Sequence, residues 1–188
     1  MIDLTQIPRE RLALLDTATI YNGSHSGGGP NCKHCARELV HEVVTGKHAD
    51  MTPPGCTIML AILPQLNDGY WRDDAHRTEV MRPYLRKLLL LDPALDEKRV
   101  YALTDHVYCK ALPDICDAVK LDKHGSALRD LAPIVDHKSA LDACAALAAL
   151  AALDARAVLA ALDDARAVRA ESWEKGTREV LDLICSIN

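Results

Sequence analysis

Phenylalanine is absent from the 188 residues, and Tyr and Trp together bring the aromatic share to only 4%. A core without large rings has to be filled by Leu, Ala, Ile, Val and Met, which suits helices packed closely together. No basic run is present: the 22 Lys and Arg residues are interspersed with 27 acidic ones for a net charge of -5. That excludes the electrostatic footprint of a nucleic-acid partner. The longest apolar run, Ala143 to Leu153, is bracketed by Asp142 and Asp154 and falls short of the roughly 18 residues that a membrane span needs. The first residues, MIDLTQIPRE, lack the charged start and apolar stretch of a secretory signal. These absences predict a soluble cytoplasmic protein with no membrane segment. Its length suits one domain over 1–188, since a chain of this size hides roughly 70% of its unfolded surface without staples.

What is present reads as helix almost throughout. A first helix is expected from Pro8 through RERLALLDTATIY, stopped by Asn22 and Gly23, and followed by the glycine-rich loop GSHSGGGPN. Asn31 then reads as the cap of CKHCARELVHEVVT, which Gly46 ends. Thr52 and Pro53 start an apolar helix, CTIMLAIL, closed by Pro64 and the Asn67-Asp68-Gly69 turn. Asp73 caps the next helix, which Pro83 is expected to kink or restart, with Arg82 and Arg86 on a solvated face.

Residues 96–111 are amphipathic, with Val100, Leu103 and Val107 at helical spacing, and Pro113 begins a short helix to about Leu121. Gly125 and Ser126 are expected to separate that helix from ALRDLA. Between Ala140 and Ala170, fifteen of thirty-one residues are Ala, the strongest helix former, so a long helix is predicted there. Residues 173–187 make a last amphipathic helix. The fold class that follows is all-α, a compact bundle of about seven to nine helices with the long Ala-rich helix near its C-terminus.

Seven cysteines are a high and odd count, pointing to a reducing compartment rather than a disulfide framework. Cys32 and Cys35 form a CxxC at an expected first helical turn, where the helix dipole and free N–H groups favour thiolate. Together with His25, His34, His41, His48 and Cys56 they give C-x2-C-x5-H-x6-H-x7-C. Zinc takes about four N or S ligands, so the donors for a structural site are present, and Cys32, Cys35, His41 and Cys56 are the set chosen from spacing. Cys109, Cys116, Cys144 and Cys185 read as small core residues. Tyr70 and Trp71, ahead of the Asp73 cap, are expected to pack helices together.

The stretch CKHCARELVHE resembles the all-helical thiol peroxidase partners of the alkylhydroperoxidase D and carboxymuconolactone decarboxylase type, a helical CxxC followed by His. The resemblance implies a peroxidatic Cys35 with Cys32 as its resolving partner, although the family's His position is Leu39 here and His41 lies two residues further on. The Cys32–Cys35 segment also resembles half of the zinc deaminase signature, but His48 follows the cysteines, Asp50 replaces Glu and the strands are missing. Gly27, Gly28 and Gly29 before a helix offer an anion cradle without the strand or Gly-Lys-Ser/Thr of a phosphate loop. More broadly, NDGYWRDDAHRTEVMRPYLRKLL, ALRDLAPIVDHKSALDA and the Ala-rich stretch resemble uncharacterised bacterial and phage Ala-rich helical proteins. That resemblance implies an all-helical fold and no activity. Because the chain is mostly scaffold and carries no complete catalytic set, the expected function is a protein-binding or regulatory helical module of a bacterial or phage accessory genome, with an unidentified protein partner and, from the Cys and His donors, a structural zinc site. The alternative is a thiol-dependent redox enzyme with Cys32 and Cys35 as its catalytic pair.

Overall fold

Helix starts and stops in this chain are set by a few side chains that satisfy orphaned backbone groups. The computed structural model describes residues 2–25, 32–49, 57–118, 120–153 and 173–187. They form α1 (Arg9–Thr17), α2 (Ala36–Thr45), α3 (Thr57–Asn67), α4 (Asp74–Leu89), α5 (Asp96–His106), α6 (Leu112–Ala118), α7 (Asp122–Arg129) and α8 (His137–Leu153), with a further helix over residues 173–186. The fold is therefore all-α. Among the described residues the only extended pairing is an isolated parallel bridge between Ile20 and His34, and no helix is long and apolar enough to cross a membrane. The chain gathers into two compact units, Met1–Asp96 with Cys185–Asn188, and Glu97–Ile184.

In the first unit α2 packs on α1, α3 and α4. Leu15, Leu39, Val43, Leu63, Met81 and Leu85 are buried almost completely, aliphatic and sulfur-containing as a chain without Phe requires. Alongside them runs a buried polar hub. Asn67 Oδ1 accepts the Ala36 N–H at 3.1 Å and its Nδ2 donates to the Tyr21 carbonyl at 2.9 Å. Arg77 Nε donates to the Asn67 carbonyl at 2.8 Å, and Thr78 Oγ1 accepts the Ile20 N–H at 2.8 Å. Backbone groups that no helix satisfies are thereby paired, as burial demands.

Several expectations need correcting. α1 stops at Thr17, because residues 18–21 turn extended so that Ile20 can bridge His34. α2 begins at Ala36 with Cys35 as its cap, so the CxxC precedes the helix instead of forming its first turn. Pro64 lies inside α3. Pro83 lies inside α4, where both it and Glu79 are on the exposed side, so the carbonyl freed by the missing N–H is solvated. Arg82 and Arg86 are half-buried and donate to backbone carbonyls, Arg82 to Ala18 just past α1 at 2.8 Å and Arg86 to Leu12 within α1 at 3.3 Å.

In the second unit α6 packs on α7 and α7 on α8, over a core that includes Leu128, Ile134, Leu181 and Ile184. On α5 the buried side holds Arg99 and His106, while Val100 and Val107 are exposed, a rotation of one residue from the apolar spacing. α5 leads into one π-type turn, Val107–Ala111, before α6. Gly125 and Ser126 sit within α7 instead of separating two segments. The Ala-rich helix is described as far as Leu153; its expected continuation over 154–170 lies outside the described residues.

Candidate metal centre

Two carboxylates one turn apart on α2, Glu38 and Glu42, organise the histidines and cysteines of the first unit. Glu38 is fully buried. Its Oε1 accepts the His25 N–H at 2.5 Å, its Oε2 accepts the Cys35 N–H at 2.8 Å, and His25 Nδ1 lies 3.3 Å from Oε2. The carboxylate thus ties the chain at His25 to the start of α2.

Glu42 Oε2 receives two imidazoles, His34 Nε2 at 2.9 Å and His48 Nδ1 at 3.1 Å. His34 is placed by the bridge to Ile20, in which the Tyr21 N–H donates to the His34 carbonyl at 2.8 Å. His48 is placed by Gly46, whose left-handed φ of 75° ends α2 and turns the chain back. The two rings meet edge to face with centroids 4.9 Å apart. His48 Nε2 lies 3.0 Å from the His25 carbonyl, which can only accept, so Nε2 carries the hydrogen and Nδ1 is left to bind something else.

Cys32 Sγ stands 3.7 Å from His48 Nδ1 and 3.8 Å from Nε2. One ligand atom from each of Cys32, His34 and His48 lies within 4.8 Å of the others, the only such His, Cys, Asp or Glu trio among the described residues. Zinc with bonds of about 2.0–2.3 Å spaces its tetrahedral ligands roughly 3.3–3.8 Å apart, so a small contraction of this trio suffices to hold a metal ion. Partial burial, then the carboxylates of Glu42 and Glu38, push the Cys32 thiol up from its ordinary value. A divalent cation reverses that preference by binding the thiolate directly.

Of the residues chosen from spacing, only Cys32 belongs to this trio. Cys35 is buried, its Sγ accepts the Glu38 N–H at 3.4 Å, and burial pushes its thiol up to about 11. His41 is buried on α2 outside the trio. Cys56, Asp50 and the glycines at 27–29 lie outside the described residues. Cys109, Cys116 and Cys185 are half-buried and Cys144 is exposed, with Tyr108 Oη 3.5 Å from its Sγ, so none of the four is a core residue. Tyr70 is 47% exposed, and Trp71 donates its Nε1–H to the Leu66 carbonyl at 2.9 Å.

Spacing reasoning passed over His34 and His48 and missed Glu38 and Glu42. Two signals in the sequence bear on them. Cys32 and His34, two apart, share one side if the backbone is extended, and Glu38 and Glu42, four apart, share one face of a helix. No protein-family model, curated protein or solved structure matches this chain.

Proposed function

We propose that this chain is a zinc-binding helical module in which Cys32, His34 and His48 hold the ion. The observation that carries this reading is the convergence of these three donors to within 4.8 Å of one another. Their chemistry suits zinc, since imidazole and thiolate together favour a borderline cation over magnesium or calcium. The ion's role is structural: it fastens the segment around Cys32 and His34 to the turn after Gly46, one on either side of α2 in the chain. The protein-binding or regulatory role is the use to which such a fastened scaffold is put.

A redox role for Cys32 and Cys35 draws less support, because a reactive thiol needs a lowered pKa and both thiols are pushed up, Cys35 to about 11. Metal analysis of protein purified without chelator tests the zinc reading. One zinc per chain is expected, lost in Cys32→Ser, His34→Ala and His48→Ala and kept in Cys35→Ser. Wild-type protein that neither carries zinc nor takes it up on titration overturns the proposal.

A further inference from the structure

Resting on the zinc reading above, we infer that Glu42 is the fourth ligand and closes the site. The argument begins at His48. Its Nε2 is committed as donor to the His25 carbonyl at 3.0 Å, so Nδ1 presents a lone pair, and 3.1 Å away stands Glu42 Oε2, another acceptor. Two acceptors at that distance repel unless a positive centre lies between them. An ion bonded to both atoms supplies that centre.

His34 Nε2 reaches the same oxygen at 2.9 Å, so Oε2 touches both imidazoles, although it stands outside the group of Cys32, His34 and His48 donors within 4.8 Å of one another, and closing the site draws it toward Cys32. The separations suit neighbouring corners of a zinc tetrahedron, whose N–O edge is about 3.3 Å and S–N edge about 3.6 Å; the Cys32 Sγ to His48 Nδ1 distance is 3.7 Å. A carboxylate that only oriented the rings would take the hydrogen from the nitrogen not bound to metal. For His48 that outer position is already filled by the His25 carbonyl, which leaves Glu42 on the metal side.

Glu42 is held where it is needed, on the last turns of α2 and only 15% exposed. A site with four protein ligands has no open position for water or substrate, the arrangement of structural rather than catalytic zinc.

Cobalt substitution separates the alternatives. Wild-type protein loaded with Co²⁺ is expected to show the near-ultraviolet thiolate-to-cobalt band from Cys32 and the intense visible absorption of four-coordinate cobalt. In Glu42→Ala the vacated corner opens the site to two waters: the thiolate band stays, the visible bands shift and weaken as cobalt goes from four- to five-coordinate, and affinity falls by more than the 10–100-fold typical of an outer partner. Glu42→Gln, which keeps side-chain volume, is carried alongside so that a folding defect in the alanine variant is recognised by circular dichroism. An unchanged visible spectrum in Glu42→Ala with only a modest loss of affinity overturns the assignment of Glu42 and leaves the zinc reading standing. No cobalt uptake by wild-type protein overturns both.

Discussion

Cys35 and Glu38 cap the start of α2 in both directions: the Cys35 sulfur accepts the Glu38 N–H at 3.4 Å, and the Glu38 carboxylate accepts the Cys35 N–H at 2.8 Å. This is a capping box with a thiol where a hydroxyl usually stands. Cys35→Ser keeps an acceptor at the cap and is expected to change stability by less than about 0.5 kcal/mol, while Cys35→Ala loses the cap at a cost of about 1 kcal/mol. Urea unfolding of the two variants checks this, with zinc content unchanged in both. Serine and alanine variants of equal stability would show that the sulfur is not acting as a cap.

The features legible in the sequence are those settled within a few residues. Asp73 caps α4 by accepting the His76 N–H at 2.7 Å, and Gly46 ends α2 at a φ that favours glycine; both are local chemistry. Cys35 is illegible as a cap because thiols seldom serve there, so the sequence pattern places the helix start four residues early and makes the CxxC helical. The site was legible as a region but not as a set. Cys32 meets His34 because the chain is extended, and meets His48 because Gly46 folds the chain back, and that return is tertiary. The buried side of α5 followed neither rule: Arg99 and His106 won it over Val100 and Val107, against the apolar pattern.

Asn67 is the residue on which three segments of the first unit depend. Its acceptor holds the Ala36 N–H, and its donor holds the Tyr21 carbonyl and Asp68 Oδ1, the latter at 2.7 Å. Asn67→Leu leaves a buried amide and a carbonyl unpaired, at about 1–3 kcal/mol each. A loss of about 2–4 kcal/mol in urea unfolding is expected. A loss no larger than that of an exposed polar substitution would mean that water replaces the side chain.

Asp16 and Arg86 couple α1 to α4 in a way that pH can read. The Arg86 hydrogen bond, at 2.7 Å to Oδ2, holds the Asp16 carboxyl below its ordinary value of 3.8. A depressed folded-state value contributes stability above the unfolded value, lost as pH falls through the folded one. The side chains are 43% and 56% exposed, so the pair is worth less than about 1 kcal/mol at neutral pH. Asp16→Asn is therefore expected to lie slightly below wild type in stability at neutral pH and to converge with it below about pH 4. A gap that stays constant into acid would assign the difference to something other than the charge.

Gly125 and Gly176 are both helical, and the same substitution is expected to act on them with opposite sign. A Cβ at Gly125 would stand 3.1 Å from the Pro113 carbonyl oxygen and 2.5 Å from Asp117 Oδ1. Asp117 is itself held by Arg129 NH2 at 2.5 Å, and the Pro113 backbone cannot swing aside. Glycine to alanine gains about 1 kcal/mol in helix propensity, but forcing α6 and α7 apart costs about 1–3 kcal/mol. At Gly125 the crowding wins, and Gly125→Ala should lower the melting temperature. At Gly176 a Cβ meets nothing within 4 Å, so only the propensity gain remains and Gly176→Ala should raise it. Thermal unfolding of the two variants decides the matter, because stabilisation by both would mean that α6 and α7 do not approach each other as closely as Gly125 allows.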